Sequence, residues 1–573
     1  MTILGISCYY HDSSACLIKD GKLVAAVQEE RFDRNKYSSA FPINSINYCL
    51  QSANLTSYDI DYVAFYEKPF LKFERIILNH LRSYPFSLKN FLDTTPHWLK
   101  DRLILPLTLK EELGFKGDVF FIKHHLAHAA STFLTSPFDK AAILTVDGVG
   151  EWATTTYGTG KDNKINVLKE IKYPNSLGLL YSIVTTYLGF RVFSGEGKVM
   201  ALAETGDPKY LDKFKKIISI KDDGSFRLNK KYFYFNKGGR MYNNNFIKLF
   251  GDPRREKEDI KDRHRDVAAS LQKTVEDIIL KMVKHIHKET GLDNLCLAGG
   301  VFLNVTTNTR IVKESFFKNV FIQPAAGDNG SALGAAFYVY NSLKNQPRKH
   351  VMKNACLGPE YSDKKIKIFL SNKGVKFKRL ENDELTKYVA KKISQDKIVG
   401  WFQGRMEFGP RALGNRSILA NPGNPKIKDI LNKKVKHRES FRPFAISILR
   451  EDLNDFFDLE IDSPFMLLVG KVKKDEVNSG GREGGLGQKK ELIPGALHTN
   501  NTSRIQTVKK EDNELYYNLI KEFKNITDLP LVINTSFNDQ EPIVCTPEEA
   551  YNCFARTKID VLVLGNYIVE KYV

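Results

Sequence analysis

Two histidines and two aspartates are spaced so that they could bind one metal ion together. His124 and His128 are four residues apart, so on a helix both imidazoles lie on one face, where they can share a cation. Asp147 follows an apolar stretch and Asp328 lies in a glycine-rich corner, so both can supply carboxylate oxygens. Such a ligand set suits Fe²⁺, Mn²⁺ or Zn²⁺. Adjacent histidines can also be ordinary polar residues of a helix, and the spacing leaves that interpretation open.

A further histidine lies at the first polar corner of the chain. His11 follows an apolar stretch and precedes Asp12. A histidine titrates near neutral pH, so it can take a proton from an alcohol while an adjacent carboxylate orients its ring. A lone histidine at the end of a strand is more often a structural hydrogen-bonding residue, and the sequence leaves both roles open.

Three glycine-rich corners follow stretches that are typical of buried strands. They lie at residues 147–150, 298–300 and 327–330. Glycine lets backbone N–H groups come close to phosphate oxygens, and a helix that begins there adds its positive end. Together the corners favour a bound nucleotide, although each could also simply turn the chain.

The densest polar segment, residues 404–417, carries three arginines and a glycine at every fifth position. This spacing disfavours a regular helix and favours a backbone wrapped around an anion, which arginine binds through paired hydrogen bonds. More basic, hydroxyl and amide groups follow it in the sequence. The predicted anion-binding residues are Arg405, Arg411, Lys436, Arg438, Arg442, Arg504, Asn534, Ser536 and Asn538.

The elements that must hold these residues form a repeated pattern. Residues 3–7, 15–18 and 23–28 are predicted to be strands separated by short polar turns. About 140 residues later, the predicted strands 142–146 and 152–157 repeat the order of strand, polar corner and strand. This repeat predicts a duplicated α/β lobe rather than two unrelated domains.

Helical spacing and a polar linker complete this part of the chain. Apolar residues recur every three or four positions between 266 and 287, and small residues follow at 332–339, so we predict two helices. The polar and basic stretch 341–353 is the predicted domain boundary. We therefore expect one domain at 1–345 and a second, also α/β, at 355–573.

Within the second domain, the glycine-rich stretch 472–487 is either a lid over a site or an excursion at the surface.

Composition limits the class of protein. The chain has 573 residues, of which 42% are apolar and 27% charged, and it contains no uncharged apolar stretch of the roughly 18 residues that a membrane span needs. Its seven cysteines include no Cys-x-x-Cys pair, so we expect neither a disulfide framework nor a thiolate zinc site, and we expect a cytoplasmic location. The net charge of +19 is spread along the chain, which argues against nucleic acid as a partner and suits anionic small substrates.

Eight segments, in this order, carry a resemblance to a known family. They are Tyr-His-Asp-Ser-Ser-Ala at 10–15, Glu-Glu-Arg-Phe at 29–32, His-His-Leu-Ala-His-Ala at 124–129, Gly-Glu-Gly-Lys-Val-Met at 195–200, Gly-Gly-Val-Phe-Leu-Asn at 299–304, Gly-Asp-Asn-Gly at 327–330, Glu-Phe-Gly-Pro-Arg-Ala-Leu-Gly at 407–414 and Asn-Thr-Ser-Phe-Asn at 534–538. Together they resemble the NodU/CmcH-type O-carbamoyltransferase family over nearly the whole chain.

The resemblance implies two catalytic domains. The N-terminal part looks like the metal-binding transferase that completes threonylcarbamoyl-adenosine in tRNA, with two lobes of the actin/sugar-kinase/Hsp70 fold group. The C-terminal part is similar to YrdC-type α/β domains. The implied reaction is ATP-dependent O-carbamoylation: carbamoyl phosphate and ATP, accompanied by Mg²⁺, give carbamoyl-adenylate in the C-terminal domain. The carbamoyl group then passes in the N-terminal domain to a hydroxyl of a small acceptor, a sugar or natural product.

The resemblance also implies roles for individual residues. The implied ligands of one divalent metal, with Fe²⁺ ahead of Mn²⁺ and Zn²⁺, are His124, His128, Asp147 and Asp328. The implied catalytic residues are His11, as general base, with Lys436 and Arg411. The residues implied to hold the adenylate in the N-terminal domain are Asp12, Gly148, Lys198, Gly300 and Asn304. Those implied to bind carbamoyl phosphate and ATP are the nine predicted anion-binding residues.

Two other functions fit parts of the sequence. An ATP-dependent phosphotransferase of the sugar-kinase group explains the glycine corners but leaves the histidine pair and the arginine-rich segment unused. A basic RNA-binding protein on a lapsed transferase scaffold fits the charge but leaves His11 and the metal-binding residues unexplained. The acceptor cannot be identified from the sequence. Residues 66–109, rich in Phe, Leu and Lys, either help to form its pocket or make a helical insertion that packs a homodimer.

Overall fold

The computed structural model describes residues 1–85, 87–235, 240–473 and 488–571. Of the predicted lid or surface stretch, residues 474–487 lie outside the described residues. The chain divides into two compact units. The first comprises Met1–Glu30 and Tyr37–Met352, and the second comprises Arg31–Lys36 and Lys353–Val573. The second unit thus takes in a short segment from near the N-terminus, which the sequence patterns do not signal.

In its described residues, the first unit contains two five-stranded sheets and a small two-stranded sheet. Its strands are β1 (Thr2–Ser7), β2 (Ser14–Lys19), β3 (Lys22–Gln28), β4 (Tyr62–Phe65), β5 (Asp118–Phe121), β6 (Lys140–Val146), β7 (Ala153–Lys161), β8 (Lys164–Lys172), β9 (Ile218–Ile220), β10 (Phe226–Leu228), β11 (Asn294–Ala298) and β12 (Asn319–Ile322).

The two large sheets have the same topology. The first has the order β3–β2–β1–β4–β5, in which β2 is antiparallel to both neighbours and β4 and β5 run parallel to β1. The second has the order β8–β7–β6–β11–β12 with the same strand directions. Because order and direction are both repeated, the predicted duplicated α/β lobe is confirmed. It is the arrangement expected of the actin/sugar-kinase/Hsp70 fold group.

Helices cover these sheets. Those up to Met352 are α1 (Glu30–Asp33), α2 (Ile43–Gln51), α3 (Pro69–Arg82), α4 (Leu88–His97), α5 (Leu105–Leu113), α6 (His124–Phe133), α7 (Leu177–Tyr187), α8 (Glu196–Ala203), α9 (Leu211–Ile217), α10 (Asn244–Phe250), α11 (Asp262–Thr290), α12 (Val305–Glu314) and α13 (Asp328–Phe337). The helix predicted at 266–287 is present within α11.

Helices α6 and α13 lie at the centre of the first unit. Helix α13 packs on β1 and β2, helix α6 packs on β6 and β11, and the two helices pack on each other. Their close approach requires glycine at Gly334, because a Cβ there would lie 1.8 Å from the backbone oxygen of Ala127. Both helices are buried almost throughout. Polar side chains on them therefore need internal partners or a ligand.

Helix α13 begins at Asp328, four residues before the predicted start at 332. The glycine-rich corner is thus the first turn of the helix, with Gly327 as its N-cap. Packing against α6 favours helix here over the turn that the glycines suggest. Asp328 consequently lies at the positive end of the helix dipole, which stabilises its negative charge.

The second unit contains one mixed nine-stranded sheet in its described residues. Its strands are β13 (Lys378–Arg379), β14 (Val399–Phe402), β15 (Arg416–Ala420), β16 (Ala445–Leu449), β17 (Leu468–Lys471), β18 (Thr502–Val508), β19 (Leu531–Ser536), β20 (Val561–Leu564) and β21 (Tyr567–Glu570). Their order across the sheet is β13–β21–β20–β14–β15–β19–β16–β18–β17.

Helices of the second unit follow several of these strands. They are α14 (Asp363–Asn372), α15 (Asn382–Ser394), α16 (Ile427–Ile430), α17 (Leu453–Phe456), α18 (Gln488–Leu492), α19 (Glu514–Thr527) and α20 (Pro547–Arg556). The α/β class predicted for this part is confirmed, and a YrdC-type fold stays a prediction. No helix in the described part of the chain combines the length and hydropathy of a membrane span.

Candidate functional site

The four predicted metal-binding side chains meet in one buried group of the first unit. His124 Nε2 lies 3.1 Å from His128 Nε2 and 3.2 Å from Asp147 Oδ2. Asp328 Oδ1 lies 3.6 Å from His124 Nε2 and 3.5 Å from His128 Nε2. Helix α6 supplies the histidines, the end of β6 supplies Asp147, and helix α13 supplies Asp328. The contact between α6 and α13 therefore forms this group.

The geometry of this group fits a divalent cation. Ligand atoms about 2.1 Å from an ion at tetrahedral angles lie about 3.4 Å apart, which is close to the separations given above. Both carboxylate oxygens of Asp328 are buried, and neither accepts a hydrogen bond from a described residue. A buried carboxylate that accepts no hydrogen bond is costly unless a cation compensates its charge. Two imidazole nitrogens and two carboxylates are donors that Fe²⁺, Mn²⁺ and Zn²⁺ all accept.

The raised pKa values of His124 and His11 indicate a negative potential at this group. Burial lowers the pKa of His124, but the charges of Asp328 and Asp147 outweigh it and raise the value to about 9. Burial likewise lowers the pKa of His11, and Asp328 and Asp12 together raise it to about 9. A group that holds protons so firmly also attracts a metal cation, which takes their place.

His11 lies at the edge of this group with its two ring nitrogens in different settings. Nδ1 is 2.9 Å from Asp12 Oδ2, and Nε2 is 3.6 Å from Asp328 Oδ2. Asp12 has a φ of 54°, a left-handed conformation that non-glycine residues adopt mainly where the surrounding structure imposes it. When the Nδ1 proton is donated to Asp12, Nε2 is the free acceptor of the ring. A cation bound at this group would offset the charge of Asp328, which otherwise keeps the ring protonated, and with that charge offset the arrangement suits a general base.

Aromatic rings flank His11. The ring centre of His11 lies 4.6 Å from that of Tyr10 and 4.4 Å from that of Phe193. Phe193 is 44% exposed and has a φ of 68°. A bulky side chain in this strained conformation, in tilted contact with the candidate base at an interplanar angle of 41°, offers an apolar face to a ligand. The sequence did not signal Phe193, because it lies in a loop without a recognisable motif.

Two of the predicted adenylate-binding glycines border the metal-binding group. The backbone N–H of Gly300 donates to Asp147 Oδ1 at 2.9 Å, so it orients a candidate metal ligand. A Cβ on Gly148 would meet no atom within 4 Å, so the backbone there borders open space. That space is what a bound phosphate or ribose needs.

Asn304 and Lys198, also predicted to hold the adenylate, make other contacts. Asn304 caps helix α12 through its Oδ1, which accepts the N–H of Thr307, and its Nδ2 donates to Gln272 Oε1 at 2.9 Å. Lys198 Nζ lies 5.8 Å from the ring centre of Phe190. Their part in nucleotide binding stays a prediction.

In the second unit, Lys436, Ser536 and Asn538 come together. Lys436 is buried, and its Nζ donates to the backbone oxygen of Ser536 at 2.6 Å and to Asn538 Oδ1 at 2.7 Å. Ser536 Oγ also donates to Asn538 Oδ1, at 2.8 Å. The ammonium group thus fixes the loop that follows β19.

Three basic groups crowd at this place. Burial lowers the pKa of Lys436 well below the usual lysine value, and the charges of Arg438 and Arg442 lower it further. Burial, then the charge of Arg442, lowers the pKa of Arg438. Like charges held together repel, and an oxyanion between them would turn this repulsion into attraction. This is the electrostatic reason to expect an anionic ligand here.

Asn534 and Arg504 lie on strands to either side of β16, since Ala445 pairs with both. Paired residues on adjacent strands share a face of the sheet. Asn534 Nδ2 donates to the backbone oxygen of Ala412 at 3.2 Å, while its Oδ1 is buried and accepts no hydrogen bond from a described residue. Asn534 therefore ties the loop that carries Arg411 to the sheet.

Residues 404–415, the loop that carries Arg411, are held from inside by Glu407. Its Oε1 accepts the backbone N–H groups of Leu413 at 2.6 Å and Asn415 at 2.9 Å. A buried carboxylate that binds several N–H groups fixes a backbone that has no regular hydrogen bonding of its own. Glu407 is not among the residues predicted for the site, although it could have been found as the acidic residue among the arginines.

Arg405 and Arg31 support the same part of the second unit. Arg405 Nη2 donates to the backbone oxygen of Leu357 at 2.6 Å. Arg31, which is buried, donates through Nη2 to the backbone oxygen of Gly409 at 2.9 Å. Arg405, a member of the predicted anion-binding set, therefore also holds the backbone.

Comparison with known proteins decides the family. Residues 2–337 match the carbamoyltransferase N-terminus, and residues 390–571 match the carbamoyltransferase C-terminus. The chain belongs to the carbamoyltransferase family. These matches confirm the resemblance noted in the sequence, and the family makes the protein a transferase.

Relatives of this carbamoyltransferase match it along nearly its whole length. It is 46% identical to an uncharacterized protein of Synechocystis sp., with 99% of this chain and 96% of the relative covered. It is 36% identical to nodulation protein NolNO of Sinorhizobium fredii, with 98% of this chain and 79% of the relative covered. The solved structure of T. kodakarensis HypF is similar with a TM-score of only 0.32 and 14% identity, covering 60% of this chain and 48% of HypF.

Two supporting residues of the carbamoyltransferase were missed in its sequence. Glu151 Oε1 accepts the backbone N–H groups of His124 at 3.0 Å and Lys68 at 2.8 Å, so it fixes the first turn of α6. Ser331 Oγ lies 3.2 Å from His128 Nδ1. Partners of this kind orient metal-binding imidazoles. Their signal is position: Glu151 follows Asp147 by four residues and Ser331 follows Asp328 by three.

The third arginine of the arginine-rich segment supports the fold of the carbamoyltransferase. Arg416 is fully buried, with its guanidinium 3.6 Å from the ring centre of Phe402. Its terminal nitrogens donate to the backbone oxygens of Pro359 at 2.8 Å and Gly404 at 3.1 Å, among others. Arg416 thus holds the backbone of the segment together from its buried side, whereas its spacing suggested that it binds an anion.

Replacing this buried arginine should destabilise the second unit. We expect Arg416→Met to lower the free energy of unfolding by about 3 kcal/mol, because buried carbonyl oxygens lose their donor. Urea unfolding of the variant and of Lys433→Met, an exposed lysine used as the control, measures the difference. A loss below about 1 kcal/mol would contradict this role.

Proposed function

We propose that this carbamoyltransferase makes carbamoyl-adenylate from carbamoyl phosphate and ATP in its second unit and transfers the carbamoyl group to an alcohol in its first unit. Water hydrolyses carbamoyl phosphate to carbamate and inorganic phosphate, and a carbamate oxygen attacks the α-phosphorus of ATP and displaces pyrophosphate. The acceptor hydroxyl then attacks the carbamoyl carbon, loses its proton to the base and displaces AMP. The observation that carries the proposal is the group formed by His124, His128, Asp147 and Asp328 beside His11, in a chain of this family.

Adenylate formation needs a cationic pocket, since both substrates are anions. The crowding of Lys436, Arg438 and Arg442 supports this role for the second unit. The other residues predicted to bind the two substrates are Arg405, Arg411, Arg504, Asn534, Ser536 and Asn538. Charge neutralisation and positioning are the main requirements of phosphoryl and adenylyl transfer. Mg²⁺ would accompany ATP.

Transfer needs a base beside an activated carbonyl. His11 is oriented by Asp12 and presents Nε2 toward Asp328, so it can take the proton of an acceptor hydroxyl placed there. A divalent cation held by His124, His128, Asp147 and Asp328 would supply Lewis-acid polarisation of a bound carbonyl or phosphate oxygen. We propose Fe²⁺ as the first candidate, and Gly148 and Gly300 as neighbours of the adenylate.

The acceptor in this proposal is a small hydroxylated molecule, a sugar or natural product. The exposed ring of Phe193 beside His11 supports this choice, because an aromatic face packs against the apolar face of a sugar ring. Residues 66–109 remain a candidate part of the acceptor pocket or of a homodimer contact.

One assay tests the proposed function. The full chain is incubated with carbamoyl phosphate and ATP, pyrophosphate is measured, and candidate alcohols are examined by mass spectrometry for the added carbamoyl group. Pyrophosphate release that requires both substrates supports the proposal. ADP formation without carbamoyl phosphate would favour a sugar-kinase-like phosphotransferase. Salt-sensitive binding of RNA without turnover would favour a binding protein.

Removal of the proposed base should separate the two half-reactions. We expect His11→Asn to lower carbamoyl transfer at least about 100-fold, the usual contribution of general base catalysis, while pyrophosphate release stays near the parent rate. His287→Asn, on helix α11, is the control and should change neither rate. If the His11 variant still carbamoylates at the parent rate, His11 is not the base.

A further inference from the structure

An arginine lies buried in the first unit without a counter-ion. Arg75, on helix α3, is 7% exposed, and it forms no ion pair and donates no hydrogen bond to any residue that the structure describes. Its guanidinium lies 5.1 Å from the ring centre of Tyr173. Arginines this deeply buried are almost always paired with an anion. The unpaired charge is therefore the feature to explain.

The two carboxylates that act on Arg75 electrostatically, those of Glu67 and Glu151, contact other groups. Glu67 pairs with the buried Lys72. Glu151 Oε1 accepts backbone N–H groups, including that of His124 at 3.0 Å. Both carboxylates act on Arg75 electrostatically, yet burial is the larger influence and lowers its pKa. The protein itself leaves the positive charge of Arg75 without a contacting anion among the described residues.

Tyr10 connects Arg75 to the proposed transfer site. Its ring centre lies 4.6 Å from that of His11, and Lys72 Nζ lies 4.7 Å from the same Tyr10 ring. The charges of Asp328 and of Arg75 both act on the Tyr10 phenol. Arg75 therefore lies on the Tyr10 side of the transfer site, within electrostatic range of the groups around His11.

We propose that Arg75 binds an oxyanion, a phosphate or a carboxylate, of a ligand at the transfer site. The identity of that ligand rests on the proposed function: the oxyanion is either the phosphate of the adenylate or an acidic group of the acceptor. A planar guanidinium binds either one through paired hydrogen bonds, and the oxyanion supplies the counter-ion that Arg75 lacks. An acidic group on the acceptor would narrow the substrate class to acidic sugars and sugar phosphates.

Direct binding measurements test this site without turnover. The full chain is titrated calorimetrically with inorganic phosphate and, separately, with AMP, in an Arg411→Ala background that weakens the proposed anion site of the second unit. Adding Arg75→Gln should weaken phosphate binding about ten- to a hundredfold, the effect of losing hydrogen bonds to a charged group. The matched control is Arg82→Gln, an exposed arginine on the same helix, which should leave the affinity unchanged.

The two probes distinguish the sources of the oxyanion. If AMP affinity falls together with phosphate affinity, Arg75 binds the phosphate of the adenylate. If phosphate affinity falls and AMP affinity stays, Arg75 binds an acidic group of the acceptor. Either result supports the site. Because neither depends on catalysis, the site can hold even if carbamoyl transfer is not the reaction.

Unchanged binding of both probes by Arg75→Gln, with an unchanged melting temperature, would overturn the proposal and leave Arg75 as a packing residue on Tyr173. Arg75→Lys covers the case in which the glutamine variant does not fold. The lysine keeps the charge but not the paired geometry, so we expect phosphate to bind several-fold more weakly than to the parent and more tightly than to a neutral variant. Parent-like affinity in Arg75→Lys would also overturn the proposal.

Discussion

Asp328→Asn should abolish carbamoyl transfer and metal binding together while adenylate formation continues. Asp328 faces both histidines of the metal-binding group and, through its other oxygen, His11. The asparagine has nearly the same shape but no charge, so the cation loses one of its two carboxylate ligands. We expect the metal content to fall below about a tenth of the parent value and transfer to fall at least 1,000-fold, as when several kcal/mol of electrostatic stabilisation are lost.

The measurement pairs metal analysis with the two half-reactions. Purified parent and variant are analysed for bound Fe, Mn and Zn by mass spectrometry, and pyrophosphate release is followed with carbamoyl phosphate and ATP. Asp212→Asn, an exposed aspartate on helix α9, is the control and should change nothing. If Asp328→Asn binds as much metal as the parent and transfers the carbamoyl group at the parent rate, the assignment of the metal centre is wrong.

The metal-binding group could be predicted from the sequence because each of its residues lies in a recognisable local pattern. A spacing of four residues brings His124 and His128 to one face of any helix, and strand ends and glycine corners placed Asp147 and Asp328 at turns. What the sequence did not contain is the approach of helices α6 and α13, which depends on Gly334 meeting Ala127 across the core. The four residues could be grouped from their donor types and positions alone, and the resemblance to a family supported that grouping before the structure did.

Residues whose role arises from tertiary packing could not be predicted. Arg75 and Lys72 lie on the buried face of helix α3, whereas apolar residues of the same helix such as Phe70 and Leu81 are exposed. The apolar pattern of this helix therefore does not mark its buried face. Phe193 acts through the contact of its ring with that of His11, and these residues are far apart in the chain. Arg416 shows the reverse: a residue that appeared to belong to a site supports the fold, because its neighbours' carbonyl oxygens point inward.

The repeated lobes could be predicted, whereas the large sheet of the second unit could not. In each lobe, three consecutive strands pair through short connections, so strand and turn patterns are enough to predict their order. In the nine-stranded sheet, neighbours such as β15 and β19 are separated by more than a hundred residues. Their pairing brings Asn534 beside the loop of Arg411, and no local pattern signals it.

Lys436→Met should stop adenylate formation while leaving the metal centre intact. The variant removes a positive charge from the cluster with Arg438 and Arg442 and the donor that holds the loop of Ser536 and Asn538. We expect pyrophosphate release to fall at least 100-fold, because a buried cation that binds a phosphate contributes about 3 kcal/mol or more. Bound metal should be unchanged, which separates this effect from that of Asp328→Asn.

A pH profile distinguishes a charge at the anion site from a purely structural lysine. Burial and the neighbouring arginines lower the pKa of Lys436, so its proton is lost at a lower pH than that of an exposed lysine. If the charge binds the substrate, pyrophosphate release in the parent falls on the alkaline side as this proton leaves. In Lys436→Arg the charge persists to higher pH, so the remaining activity should keep its value where the parent declines. If pyrophosphate release declines at the same alkaline pH in the parent and in Lys436→Arg, Lys436 only holds the loop. The same conclusion follows if Lys436→Met releases pyrophosphate at the parent rate, as the exposed control Lys433→Met should.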